Sequence, residues 1–409
     1  MREIRHSSNW KSIVLPMIII ALMFSVLGFA VGINAFFVPF VKKAFHINTA
    51  MSYLVTTATF SAFVLFGVPS GKILKKAGYK RSMFFAFLLM ALGMYFIIPA
   101  AKWISFPFFL VALFVNGMGQ TLLNAAVNPY ITILGPEDSA ARRISIMGVC
   151  NKLSFGFAPV VLSIVMDTVN VELNDTITPF YVITGVLILL GILSNFAPLP
   201  EVKAIGEDDL NEISENENGK SSILQFPHLL LGALAIFLYV GVENIALVSI
   251  IDFAMEIGLP SAERYTGYTS FAYVIGYFLG ILLIPKFVSQ LNALRFCALF
   301  GLGASVLIVF LPGEIAISFV ALLGLANSLI WPAIWPLALA NLGRFTKAGS
   351  SLLVMGIAGG GLLPPVLGYF KDLSSYQIAY WMLLPIYGFF LFYAFIGYKL
   401  KKNDQSFNK

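Results

Sequence analysis

The chain has 409 residues, 59% of them hydrophobic and only 11% charged, with a mean hydropathy of +0.87 and a formal net charge of +6. Soluble domains carry about 25% charged residues, so this composition excludes a soluble globular protein and indicates an integral membrane protein, which the form of its apolar runs makes all-α. Three scattered histidines and two distant cysteines, Cys150 and Cys297, offer neither metal-ligand spacing nor a disulfide.

Apolar runs of about 20 residues, the length that crosses a bilayer as a helix, predict twelve spans. In chain order they are Ser12–Val41, Thr49–Lys75, Arg81–Ala101, Ile104–Ile133, Ala140–Asp167 and Ile177–Pro198, then Phe226–Met255, Ala262–Val288, Ala293–Leu311, Ile315–Leu342, Gly349–Phe370 and Gln377–Tyr398. Unbroken apolar runs rich in Gly and Pro fit helices rather than the alternating strands of a barrel. Basic residues precede the first run and no small-residue cleavage site follows it, so an uncleaved first span is expected. Residues 199–225 include EDDLNEISENENGKSS, acidic and nearly free of large apolar groups. This stretch reads as a linker between halves 1–198 and 226–409.

Lys and Arg placement gives the topology. Arg2, Arg5, Lys11, Lys72, Lys75, Lys76, Lys80, Arg81, Arg142 and Arg143 fall on one side, with Lys286, Arg295, Arg344, Lys347, Lys399, Lys401 and Lys402. The opposite loops hold only Lys42, Lys43, Lys102, Arg264 and Lys371. Both termini and the linker are therefore expected in the cytoplasm, and the positive charge needs no nucleic-acid partner.

Two stretches echo each other, Asn116–Gly135 and Gly324–Gly343. Leu134-Gly135 precedes Met147-Gly148 by the same interval as Leu342-Gly343 precedes Met355-Gly356. In the first stretch Gln120, Asn124 and Asn128 recur every fourth residue and form a polar stripe on a helix. In the second, Asn327, Trp331 and Trp335 have the same spacing. Val31–Asn34 and Val240–Glu243 form a further echo. Two six-span halves in parallel repeat follow the plan of the major facilitator fold, with the ligand site between the halves at the midplane.

Amides that both donate and accept suit a hydroxyl-rich ligand, and Asn34, Gln120, Asn124, Asn128, Asn151, Asn244 and Asn327 supply them. Bonding between helices is the competing use of an amide, worth about 0.6 kcal/mol in a membrane. An indole face covers the C–H face of a sugar ring, which assigns Trp331 and Trp335 to the ligand, with core packing as the alternative. Tyr239, Tyr273 and Tyr277 are weaker candidates of the same kind. Glu243 lies mid-span, where a charge costs about 2.5–3.5 kcal/mol even on the lenient insertion scale, so a functional role is expected. Lys152 in span five has several open roles: donating to sugar hydroxyls, pairing with Glu243, replacing a coupling cation, or packing its stem with its head in a wet cavity. Asp167, Asp252, Glu256 and Glu263 lie near outer span ends, as solvated or gating groups. No P-loop, nucleophile elbow or paired-carboxylate arrangement is present, so no enzyme is expected.

These residues resemble the fucose:proton symporter family of the major facilitator superfamily, and within it the glucose/galactose branch. The resemblance runs over nearly the whole chain. It is carried by Gly71–Lys80, Asn128-Pro129-Tyr130, Leu134–Glu137, Ile144–Gly148, Cys150-Asn151-Lys152, Tyr239–Glu243, Trp331–Pro336 and Thr346–Met355. It implies hexose uptake, glucose or galactose, across a bacterial inner membrane by alternating access. Fucose members carry an acid just after the position of Asn34 and another in span four, where this chain has Ala35 and Asn124. Their proton-carrying acids therefore do not transfer, and Glu243 with Lys152 matches the sugar-transporting branch. Three roles for Glu243 stay open: proton carrier, direct hydroxyl partner, or part of a sodium site. The expectation is a monomeric, proton-coupled hexose importer without cofactor or metal. Sodium symport, uniport, transport of fucose, mannose or N-acetylglucosamine, and a non-transporting sugar sensor are the alternatives.

Overall fold

The computed structural model describes residues 10–47, 49–52, 54–166, 173–200, 222–262 and 264–401. Most of the expected linker, both chain ends, Asp167 and Glu263 lie outside the described residues. Among the described residues sixteen α-helices are found, joined in places by 3-10 turns, and no strand occurs. They are α1 Trp10–Ala44, α2 Thr49–Ser52, α3 Leu54–Leu65, α4 Gly67–Lys102, α5 Phe106–Ile133, α6 Ala140–Val165, α7 Ile177–Phe196 and α8 Pro227–Glu256. They continue as α9 Arg264–Leu283, α10 Gln290–Phe310, α11 Gly313–Ser328, α12 Ile330–Leu339, α13 Thr346–Met355, α14 Gly359–Leu373, α15 Tyr376–Ala379 and α16 Leu383–Phe395. Among the described residues eleven helical stretches are long and apolar enough to cross a membrane, and Leu54–Leu65 is a shorter apolar helix.

Local chemistry explains where the spans stop and bend. The expected break between spans two and three falls at Gly78, with φ 76° and ψ 175°, inside the continuous assignment Gly67–Lys102. This backbone conformation is essentially reserved for glycine. Span ten is not one helix, as expected, but two. Pro332 has no N–H for the carbonyl of Ser328 and its ring crowds that carbonyl, so α11 ends at Ser328 and α12 starts at Ile330. Span eleven is likewise divided, by a 3-10 turn over Gly356–Ala358. Ser289 caps α10 by accepting from Asn292 N at 3.2 Å, and Pro227 opens α8, where a missing N–H costs nothing.

The described residues fall into two compact units, one within Asn9–Ile131 and Cys150–Val202, the other within Thr132–Val149 and Lys203–Lys409. In the first, Phe37 of α1 packs on Phe109 of α5 at 5.0 Å and on Phe180 of α7 at 5.3 Å between ring centroids. All three rings are essentially buried. In the second, α8 is central, and α14 lies so close that a Cβ on Gly359 would sit 1.9 Å from the Phe237 carbonyl oxygen. Helix association in lipid rests on such close packing because lipid tails are as apolar as the helices.

Gly359→Ala must push α14 off α8, at a cost of about 1–3 kcal/mol typical of overpacking. A clear drop in apparent melting temperature of the detergent-solubilised protein is expected. Gly303→Ala, where a Cβ meets nothing within 4 Å, should leave the melting temperature nearly unchanged. Equal behaviour of the two variants would contradict this packing.

Candidate functional site

In the first unit the polar stripe on α5 starts one step earlier than the expected triplet. Asn116, Gln120, Asn124 and Asn128 recur every fourth residue and so share one helix face. Gln120 Nε2 donates to Asn116 Oδ1 at 2.6 Å, and Asn124 Nδ2 to the Gln120 carbonyl at 3.0 Å. Asn128 Nδ2 donates to the Asn124 carbonyl at 3.0 Å and to Asn124 Oδ1 at 3.2 Å. Asn116 itself anchors the ladder, donating from Nδ2 to the Met90 carbonyl of α4 at 3.2 Å. Gln120 and Asn128 are buried and Asn124 is half-buried; Gln120 Oε1 has no hydrogen-bond partner.

Asn34 on α1 is buried, and its Oδ1 accepts from the Thr59 hydroxyl of α3 at 3.2 Å while its Nδ2 has no partner. Asn151 on α6 is half-buried and donates to the Phe24 carbonyl of α1 at 3.1 Å, so part of its amide serves helix pairing. Lys152 beside it is half-buried, its ammonium 5.9 Å from the Phe155 ring centroid, within the range of a weak cation–π contact.

In the second unit α8 and α12 bring together the acid and the aromatic rings. Glu243, half-buried near the middle of α8, accepts a 2.8 Å hydrogen bond from the Tyr239 hydroxyl one turn earlier. The Tyr239 ring lies 5.8 Å from that of Trp331, tilted by 47°, and Trp331 lies 5.4 Å from Trp335, tilted by 53°. Trp335 is fully buried and its Nε1 has no hydrogen-bond partner. Tyr273 and Tyr277 of α9 are close enough to interact electrostatically with Glu243, and they pack on Leu247 and Val149. Asn327 at the end of α11 is fully buried; its Oδ1 accepts from the Tyr387 hydroxyl of α16 at 2.8 Å, and its Nδ2 makes no hydrogen bond. Asn244 donates to the Val240 carbonyl of its own helix at 2.9 Å. Asp252 and Glu256 end α8 and hold the start of α15, the first accepting from the Tyr376 hydroxyl at 3.1 Å and the second from its backbone N–H at 3.0 Å.

The expected residues thus divide between the units. Asn34, Gln120, Asn124, Asn128, Asn151 and Lys152 lie in the first; Glu243, Asn244, Asn327, Trp331 and Trp335 lie in the second. Three residues that orient them, Asn116, Thr59 and Tyr387, escape the reading of the sequence. Only Asn116 carries a usable signal there, because it extends the four-residue period of the stripe. Among the described residues no three His, Cys, Asp or Glu side chains are grouped to hold a metal ion.

The sequence model of the Major Facilitator Superfamily matches residues 19–356. A glucose/galactose transporter of Brucella abortus (strain 9-941) is 31% identical over 408 residues, which cover 96% of this chain and 97% of that protein. The L-fucose-proton symporter of Escherichia coli K12 is 27% identical over 423 residues, covering 97% and 95% of the two chains. The crystal structure of the major facilitator transporter FucP in its outward conformation superposes with a TM-score of 0.81 at 25% identity, covering 94% of this chain and 98% of that one. A superposition on a solved transporter over most of both chains, and a family match over most of the length, lead to one conclusion: the chain is a multi-pass membrane transporter, not an enzyme, and belongs to the Major Facilitator Superfamily.

Proposed function

We propose that this transporter imports a hexose, glucose or galactose, across the bacterial inner membrane by alternating access, coupled to protons through Glu243. The observation that carries the reading is the corner of the second unit where Tyr239 holds the Glu243 carboxyl at 2.8 Å beside the tilted rings of Tyr239, Trp331 and Trp335. Carboxylate oxygens accept from sugar hydroxyls, and indole faces cover the apolar side of a pyranose. The names of the relatives, glucose/galactose transporter and L-fucose-proton symporter, support the same substrate class and a proton as coupling ion.

Trp331 stacks on the ring, Trp335 Nε1 donates to a hydroxyl, and Asn34, Gln120, Asn124, Asn128, Asn151, Asn244 and Asn327 supply further donors and acceptors. Glu243 carries the proton. A neutral acid is tolerated in apolar surroundings far better than a carboxylate, so proton binding and release can follow the state of access. Lys152 sets the local charge. Halves 1–198 and 226–409 are the moving bodies, the linker 199–225 and both termini lie in the cytoplasm, and the working unit is a monomer.

Uptake of labelled glucose and galactose into proteoliposomes under separate proton and sodium gradients tests this, with fucose, mannose and N-acetylglucosamine as competitors. Uphill uptake driven by the proton gradient alone is expected, and Glu243→Gln should lose that drive while retaining sugar exchange. Concentrative uptake by Glu243→Gln equal to wild type would remove Glu243 from coupling. Sodium drive alone would replace the proton, and binding without flux would replace transport by sensing.

Loss of the stacking surface gives a separate expectation. An aromatic contact is worth about 0.5–1.5 kcal/mol beyond its area, so Trp331→Ala should raise KM for glucose by about tenfold and Trp331→Phe by less. An unchanged KM in Trp331→Ala would place the ring outside the sugar site.

A further inference from the structure

The anchor of the α5 ladder has a direction. The Met90 carbonyl on α4 can only accept a hydrogen bond, so the Asn116 end facing it at 3.2 Å is the NH2 group. Asn116 Oδ1 is then the end turned to Gln120, and a carbonyl oxygen can only accept. Gln120 must meet it with Nε2, at 2.6 Å. One backbone carbonyl, through Asn116, thus settles the orientation of the Gln120 amide. Turned away from Asn116 on Gln120 is Oε1, which has no partner although the residue is only 1% exposed, while Nε2 spends one of its two N–H groups on Asn116. The contact is built into the packing: a Cβ on Gly93 of α4 would lie 2.3 Å from Asn116 N, so glycine there lets α5 approach Met90. Asn116 is itself only 2% exposed, sealed away from competing water.

We infer that Asn116 is a positioning residue that presents Gln120 Oε1 as a hydrogen-bond acceptor, so that the sugar hydroxyl meeting Oε1 must donate its hydrogen. The inference rests on the reading of Gln120 as a sugar-binding residue. A hydroxyl can donate or accept as its partner requires, whereas fluorine in its place keeps a weak acceptor and loses the donor. At the ring position served by Gln120 Oε1, a deoxyfluoro sugar gains nothing over the plain deoxy sugar.

Competition of labelled glucose uptake by the full set of monodeoxy and monodeoxyfluoro glucoses reads this directly. In wild type one ring position should show equal losses for both analogues, about tenfold each, the worth of one hydrogen bond of about 1.4 kcal/mol. Asn116→Ala frees the Gln120 amide to turn its NH2 group outward. The fluoro analogue at that position should then compete several-fold better than the deoxy analogue, with the maximal rate of uptake within about twofold of wild type. Asn116→Ser, too short to reach Gln120, should behave alike and serves if the alanine variant inserts poorly. Asn116→Asp in its neutral acid form gives its O–H to the Met90 carbonyl, keeps an acceptor against Gln120 Nε2 and should restore the equal losses, a rescue that a merely structural role would not produce.

Equal losses that persist in both Asn116→Ala and Asn116→Ser overturn the inference while leaving the sugar site intact. So does a wild type that lacks any such position although Gln120→Leu weakens sugar competition. If Gln120→Leu leaves competition by every sugar unchanged, the reading of Gln120 as a sugar ligand fails, and the inference with it.

Discussion

An amide side chain brings two N–H donors and two carbonyl lone pairs into the helices, and inside apolar spans bulk water is not there to satisfy them. Their partners come from the protein or from whatever enters it. Three amides here share one arrangement: one end is held by another side chain and the other end is left over. Tyr387 takes the oxygen of Asn327, Thr59 that of Asn34, and Asn116 the NH2 group of Gln120. The remaining ends, Asn327 Nδ2, Asn34 Nδ2 and Gln120 Oε1, make no hydrogen bond. A buried polar group left unpaired costs about 1–3 kcal/mol, and a hydroxyl-bearing ligand that completes these bonds recovers that cost. At the proposed sugar site, orientation and affinity then have the same origin.

Helix packing sets how firmly these ends are held. Tyr239 and Glu243 lie on α8 just after Phe237, whose carbonyl is the point where α14 makes its closest approach at Gly359. The backbone that carries the acid is thus braced two residues from its hydrogen-bonded tyrosine. Tyr239 is almost wholly buried and packs beside the Trp331 ring, so the hydroxyl from which the carboxyl accepts is fixed in place.

The spans were legible because a helix in lipid must be apolar over about 20 residues, and glycine at position 78 marks a bend that other residues resist. The acid and the rings were legible too, since Glu243 and two indoles at mid-span contradict the surrounding composition. What the pattern did not reveal is partnership across the chain. Tyr387 and Asn327 are 60 residues apart, and nothing local to either announces their 2.8 Å bond. Tyr387 reads as one more aromatic residue of an apolar span. Asn116 was hidden differently: it lies in register with Gln120, but its role depends on a carbonyl of α4, and backbone carbonyls leave no trace in a side-chain pattern. The interruption at Leu329 was readable in principle from Pro332, yet the four-residue spacing of Asn327, Trp331 and Trp335 suggests an unbroken helix.

That spacing conceals a difference between the two repeats. In the register set by Leu134 and Leu342, Gln120 corresponds to Ser328, Asn124 to Pro332 and Asn128 to Pro336. Asn124 adds a side-chain donor to the Gln120 carbonyl at 3.0 Å, and Asn128 does the same for Asn124. At the equivalent places Pro332 and Pro336 remove even the backbone donor. The same carbonyl positions are doubly served in one repeat and deprived in the other. Accordingly α5 runs unbroken from Phe106 to Ile133, while its counterpart is jointed between Ser328 and Ile330. The residues assigned to the ligand shift with the chemistry. Trp331 and Trp335 stand one position before the prolines, about 100° around the helix from where the amides would be. One half thus presents an unbroken helix with a ladder of amides and the other a jointed helix bearing indoles, and the position of Asn124 and Pro332 separates them, since α12 runs on through Pro336 as α5 does through Pro129.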